Sequence, residues 1–296
     1  MKRLAAFVAL ASGLGLATVL PASPPDSSWQ SVDEVLGSAG KDLPGGVHRF
    51  GWPRSDLHVT IGSVAVEPAV ALGSWAGFLQ TAPGGPAVTM GDLVLLDSEL
   101  DPVLGELSSG GFDILAIHNH LAGESPHLLY VHFHGHGDAS ALAKTLKAAL
   151  AKTKTPAAAK SSAAPTPEQT QTFEKLQAAL GRKGTMAGVV LQVGVPRSET
   201  IRDGGMDVPP SLGMSTALNF QTVGGEVATS GDFVLLAEEV NPVLRELRAH
   251  GIAPTALHSH MLAETPRLFF MHFWAVGTPE AIGAGLKAAL AKTAVQ

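Results

Sequence analysis

His118-Asn119-His120-Leu121-Ala122-Gly123-Glu124-Ser125-Pro126-His127-Leu128-Leu129-Tyr130-Val131-His132 is the stretch on which the reading of this chain turns. Its skeleton, H-x-H-x3-E-x7-H, returns 140 positions later as His258, His260, Glu264 and His272. The flanks repeat with it. Gly91-Asp92-Leu93-Val94-Leu95-Leu96 is echoed by Gly231-Asp232-Phe233-Val234-Leu235-Leu236. Glu99-Leu100-Asp101-Pro102-Val103-Leu104 is echoed by Glu239-Val240-Asn241-Pro242-Val243-Leu244. Phe50 to Asp56 returns as Val193 to Glu199, and Lys147 to Thr153 as Lys287 to Thr293. Two copies and no third mean two related domains, not a solenoid.

Working outward from the motif, Phe112 to His120 and Leu128 to His134 have strand character, joined by a turn at Gly123 and Pro126. Ala139 to Lys152 reads as a helix with Asp138 as N-cap and Leu142, Leu146, Ala149 and Leu150 on one side. Upstream, Asp101-Pro102 signals a helix start and Gly110-Gly111 its end. Strands are expected at Leu57 to Val66, Ser74 to Gln80 and Val88 to Leu96, and a first helix at Trp29 to Leu36. The order strand–helix–strand–strand–helix implies the α+β class. The expected fold is a tandem duplication in which each copy is an antiparallel sheet with helices packed on one face, ferredoxin-like in character. The copies are placed at 29–152 and 168–296. The proline- and alanine-rich residues 153–167 have linker composition.

Lys2 and Arg3, the apolar run Leu4 to Leu20 and then Pro21-Ala22-Ser23 read as a signal peptide over residues 1–22. Export to the periplasm or outside the cell is the expectation, with no stable membrane insertion once the signal is removed. The formal net charge of -6 and the absence of a Lys/Arg stripe argue against nucleic acid and against an anionic membrane surface. The chain has no cysteine, so disulfides, thiolate nucleophiles and cysteine-held zinc or iron–sulfur sites are excluded. There is no G-x-S-x-G elbow, Walker A loop, H-E-x-x-H helix or dinucleotide-binding glycine loop.

The histidines carry the chemistry. Period-2 geometry puts His118 and His120 on one sheet face. A hairpin pairing position 120 with 128 sets His118 opposite Tyr130 and brings His132 diagonal to it. With Glu124 folded over that face, His118, His120, Glu124 and His132 form a first shell for a divalent transition metal (Zn, Mn, Fe, Ni or Cu). His258, His260, Glu264 and His272 repeat the set. His127, His134 and His136 have Arg267, Trp274 and Val276 in the second copy and drop out. The competing reading of the same residues is a structural polar network. Glu99 and Glu239 read as carboxylates near a helix N-terminus, and Arg54 and Arg197 as salt-bridged turns, with acid–base and anion-binding roles as the alternatives.

The pattern also resembles the first cupin metal motif. That likeness is local, because the cupin glycine frame is missing and the flanking helices do not fit a β-barrel. Gly231 to Leu235, Glu239 to Val243, Ala256 to Met261 and Pro266 to Trp274 resemble the LppY/LpqO family of bacterial exported proteins and lipoproteins. The resemblance runs from about Trp29 to the C-terminus. It implies export and brings no activity and no catalytic residues. Three functions follow as expectations: a metal-binding protein or metal-dependent hydrolase, a metal-free enzyme using paired histidines as acid and base, and a non-catalytic cell-envelope module. The partner is an unknown small molecule or cell-envelope component.

Overall fold

The structure, a computed structural model, describes residues 29–295 apart from 81, 83, 84 and 158–162. The signal-peptide reading of residues 1–22 lies outside the described residues. The first copy comprises α1 (Gln30–Leu36), β1 (Lys41–Leu43), β2 (Val47–Pro53), β3 (Thr60–Ile61), β4 (Val64–Ala65), α2 (Pro68–Ala71), β5 (Gly73–Gln80), β6 (Ala87–Leu96), α3 (Asp97–Ser109), β7 (Asp113–His118), β8 (Glu124–Ser125), β9 (Leu128–Gly137) and α4 (Ala139–Leu150). The second comprises α5 (Pro167–Leu180), β10 (Thr185–Ala187), β11 (Val190–Pro196), β12 (Ile201–Asp203), β13 (Met206–Val208), β14 (Ser215–Val223), β15 (Glu226–Leu235), α6 (Ala237–Ala249), β16 (Ala253–His258), β17 (Phe269–Gly277) and α7 (Pro279–Leu290).

Each copy builds one antiparallel six-stranded sheet. The orders β1-β2-β5-β6-β9-β7 and β10-β11-β14-β15-β17-β16 are the same order twice. Inserting β9 between β6 and β7 splits a βαβ unit, and that is the ferredoxin-like element. The expected register holds: His118 lies opposite Tyr130. Leu93, Leu95, Val131 and Phe133 pack under Val32, Val103, Leu107, Leu142 and Leu146 of the three longer helices of the first copy. Phe233, Leu235, Met271 and Phe273 do the same under α5, α6 and α7. The α+β duplication with helices on one face of each sheet is therefore the architecture.

The sheet faces turned away from the longer helices oppose one another, with the short α2 packed against β14 and β15. Val47, Val88 and Met90 of the first copy share a core with Ile201, Leu212, Met214, Val234 and Phe270 of the second. Polar side chains tie the seam. Gln221 Nε2 donates to Ala65 O (2.8 Å), Gln221 Oε1 accepts from Glu67 N (2.8 Å), and Asn219 Nδ2 donates to Val70 O (2.8 Å).

Local departures have local causes. The run Leu57 to Val66 is not one strand but the hairpin β3–β4, broken at Gly62, whose φ of 58° suits glycine. Helix α3 begins at Asp97, four residues before the Asp101-Pro102 signal. Glu99 Oε2 accepts the Leu96 backbone N–H at 2.9 Å and captures the start, leaving Pro102 inside the helix. Helix α5 begins at Pro167, where Thr166 Oγ1 caps Gln169 N at 3.2 Å. No helix among the described residues is long and apolar enough to cross a membrane.

Candidate metal centre

The two histidine sets come together in one cluster. Because the sheets meet face to face, all six imidazoles interleave across the seam. His118 lies on His258 with ring centroids 3.6 Å apart, His120 on His272 at 3.8 Å and His132 on His260 at 3.7 Å. The outer rings rest on aromatic platforms: His120 on Tyr130 at 3.5 Å and His260 on Phe270 at 3.3 Å. Packing from both sides limits the ring rotamers, so the nitrogens are held before any ligand arrives.

Glu124 and Glu264 do not join the imidazoles. Glu124 Oε1 accepts from Leu128 N (3.2 Å), and Glu264 Oε1 accepts from Leu268 N (2.9 Å) while Oε2 meets Arg267 Nη1 (3.2 Å). Both carboxylates organise the turn that carries the motif. The carboxylates that reach the centre are Asp92 and Asp232, directly opposite His132 and His272 in their sheets. Asp92 Oδ2 is 3.4 Å from His120 Nε2 and 4.0 Å from His132 Nε2. Asp232 Oδ2 is 3.5 Å from His260 Nε2, and its Oδ1 is 3.9 Å from His272 Nε2. The signal for them was present in the repeated Gly-Asp of β6 and β15.

The glycines of those dipeptides have a role of their own. A Cβ on Gly91 would lie 2.3 Å from Trp75 O, and one on Gly231 would lie 2.2 Å from Ala217 O. Their carbonyls accept from the imidazoles: His132 Nδ1 to Gly91 O is 3.3 Å and His272 Nδ1 to Gly231 O is 3.1 Å. With the proton on Nδ1, each Nε2 lone pair points toward the centre, which is the tautomer a metal requires. His272 Nε2 and His258 Nε2 are 2.9 Å apart.

Charge is costly here. Burial, then repulsion from His258, pushes His118 down to about 2, and burial brings His258 down to about 4. Burial first, and neighbouring imidazoles second, holds His120, His132, His260 and His272 well below the usual histidine range. Burial pushes Asp92 up to about 8 and Asp232 well above the carboxylate range. Of nine buried side-chain polar atoms without a hydrogen-bond partner among the described residues, seven belong to Asp92, His118, His120, His132, Asp232 and His260. Buried polar atoms are ordinarily satisfied, so this concentration demands a partner.

Ligand sets form within and across the copies. Asp92, His120 and His132 are one set and Asp232, His260 and His272 its twin. His118, His132, His258 and His260 are a mixed set, as are His118, His120 and His272. Within each set the donor atoms lie within 4.8 Å of one another.

Arg54 and Arg197 are held in ion pairs. Arg54 is fully buried and bridges Glu99 (2.6 Å) and Asp56 (3.0 Å), and Arg197 repeats this with Glu239 (2.6 Å) and Glu199 (3.0 Å). Glu99 and Glu239 are thereby structural partners. His127 is exposed and meets Asp97 at 3.1 Å.

Comparison with known proteins adds a family and no activity. No curated protein matches the chain. Among solved structures, a trimeric bacterial microcompartment shell protein, PduB, is similar over 86% of this chain and 89% of its own at 11% identity. Its TM-score of 0.22 is too low to bear on fold or function. The model of one family matches residues 30–152 and again 174–292, so the chain belongs to the family described as Domain of Unknown Function (DUF1259), in two copies.

Proposed function

We propose that this protein binds a divalent transition metal at the seam between its two copies, through His118, His120, His132, His258, His260 and His272 with Asp92 and Asp232. One observation carries the reading. The His120–Asp92 and His260–Asp232 separations, 3.4 and 3.5 Å, are longer than good charge-assisted hydrogen bonds. They match the edge of a tetrahedron whose bonds are about 2.1 Å, which is about 3.4 Å. These two separations favour a shared ion over direct pairing of the donors. Imidazole with carboxylate suits Zn, Cu, Fe or Ni, with Mn favoured only if the oxygens dominate. Two aspartates neutralise one divalent ion, while the twin Asp-His-His sets offer places for two, so one or two ions per chain are expected.

Chemistry at such an ion would be activation of a bound water, the route to a metal-dependent hydrolase. The 2.9 Å contact between His258 and His272 favours a second reading, a metal-free acid–base pair. Metal analysis of the purified protein separates them. Retained Zn, Mn, Fe, Ni or Cu, lost in the His118→Ala plus His258→Ala variant, supports the first. No retained metal, together with no thermal stabilisation by added Zn, Mn, Ni or Cu, would overturn the first. The resemblance to LppY/LpqO-like proteins and the charged, then apolar N-terminus support export to the periplasm or beyond. Fractionation of cells producing the full chain tests that, and retention in the cytoplasm would overturn it.

A further inference from the structure

Arg49 of β2 is a half-buried cation that reaches across the seam. Its Nη1 donates to Ser211 O of the second copy at 3.2 Å, and its guanidinium lies 4.0 Å from the centre of the Trp75 ring. Trp75 stands directly opposite Asp92 in the sheet. Burial lowers the guanidinium to about 10, and Asp92 is the charge that opposes this fall.

The second copy does the same mechanical work without the charge. Trp75 lies opposite Asp92 and Ala217 opposite Asp232, so these two positions correspond. Arg49 pairs with Gly77 and Gln192 with Asn219, each two residues further along, so Gln192 holds the place of Arg49. Gln192 Nε2 donates to Ala69 O of the first copy at 2.9 Å, the counterpart of the bond from Arg49 to Ser211 O. A neutral amide therefore suffices to tie one copy to the other. The positive charge of the first copy is additional, and so is the indole beneath it. The influences on Asp232 are burial and, second, Asp92, and both raise it.

We infer that Arg49 is a built-in counter-charge that makes the two halves of the centre unequal, weakening the hold of Asp92 on a divalent cation and leaving Asp232 to anchor the tighter ion. The inference rests on the metal reading proposed above. A guanidinium repels a divalent ion about twice as strongly as the single proton that ion would displace from Asp92. The sign is therefore the same whether the carboxyl starts protonated or ionised.

The test is zinc binding to the chelator-treated full chain, read by competition with a chromophoric chelator. Direct metal analysis comes first: no bound zinc would sink the metal reading, and this inference with it. With zinc bound, Asp232→Asn should lose the tighter ion and Asp92→Asn should keep it. Arg49→Gln copies the second half of the molecule and keeps a donor for Ser211 O. It should tighten the weaker zinc at least about fivefold, or admit it where the wild type holds one ion. Arg49→Lys keeps the charge and should bind zinc as the wild type does. Structural damage at this position would weaken binding in both variants, so tightening in Arg49→Gln alone reports the charge. Gln192→Arg should weaken the tighter zinc. Bound zinc with equal losses in the two Asn variants would overturn the inference, as would an Arg49→Gln chain that binds zinc no tighter than the wild type. If Arg49→Gln does not fold, the comparison of Asp92→Asn with Asp232→Asn decides alone.

Discussion

Asp92→Asn should stabilise the metal-free protein and weaken its response to metal. Without metal, burial raises Asp92 from an ordinary 3.8 to about 8. A carboxyl with its pKa raised on folding holds its proton better in the folded state. Its contribution therefore falls as pH rises above about 3.8 and levels off above 8. The buried imidazoles act in the opposite sense. Their folded values lie below 6.5, so stability falls as pH drops below 6.5. Between pH 6.5 and 8 the unfolded imidazoles lose their remaining protons and still act in the stabilising direction, a contribution common to the wild type and Asp92→Asn that cancels when the two are compared. At about 1.4 kcal/mol per pH unit, Asp92 costs about 2 kcal/mol across that interval. Asp232 adds in the same direction, and part of its own shift comes from Asp92. Urea denaturation of chelator-treated protein at pH 6.5 and pH 8 measures the difference. Relative to Asp92→Asn, the wild-type chain should lose about 2 kcal/mol over this interval, and Asp92→Asn should be the more stable at pH 8. Adding metal at a hundred times its Kd should restore about 2.7 kcal/mol to the wild type and less to the variant. Equal pH dependence in the two proteins would refute the claim that this carboxylate waits for a cation.

Three further outcomes follow from named contacts. Glu124→Gln should retain the metal content of the wild type while costing about 1 kcal/mol of stability, because the carboxylate serves Leu128 N and not the centre; loss of metal in this variant would restore Glu124 to the ligand set. Arg54→Met should destabilise by about 3–5 kcal/mol in denaturant titrations, since it strands Glu99 and Asp56 beside the unpaired Val94 carbonyl. Tyr130→Phe removes the 3.0 Å bond to Ala71 O but keeps the platform under His120, so it should cost about 1 kcal/mol and leave metal stoichiometry unchanged by direct metal analysis.

The fold was legible wherever the cause was local or repeated. The Asn241-Pro242 and Asp101-Pro102 echoes located a helix in each copy, and Asp138 caps α4 as read, accepting Ala141 N at 2.8 Å. Strand parity placed His118 opposite Tyr130. What was not legible depended on contacts between distant segments. Asp92 faces the imidazoles only because β6 pairs with β9, a partnership that no turn sequence announces. Glu124 has the right spacing for a ligand, but the backbone N–H of Leu128 lies nearer and takes the carboxylate. The merging of two histidine sets into one centre depends on two sheets turning together the faces opposite their longer helices. Within either copy alone, the pattern reads as a complete site.

That merging makes the duplication itself testable. His118 belongs to two mixed ligand sets, each containing histidines of the second copy, and His258 shares one of them. If the ions are held across the seam, His118→Ala and His258→Ala disturb the same binding events. Metal titrations by calorimetry on the two single variants and the double variant should then show a coupling of about 1 kcal/mol or more, because neighbours that share a partner do not add. Two independent sites would behave differently. Each single variant would lose one ion and keep the other at wild-type affinity, and the two costs would sum. The ring distances of 3.6 to 3.8 Å across the seam argue for the first outcome. Rings that close cannot shift in one copy without moving their partners in the other, so metal affinity and the packing of the two copies are one property.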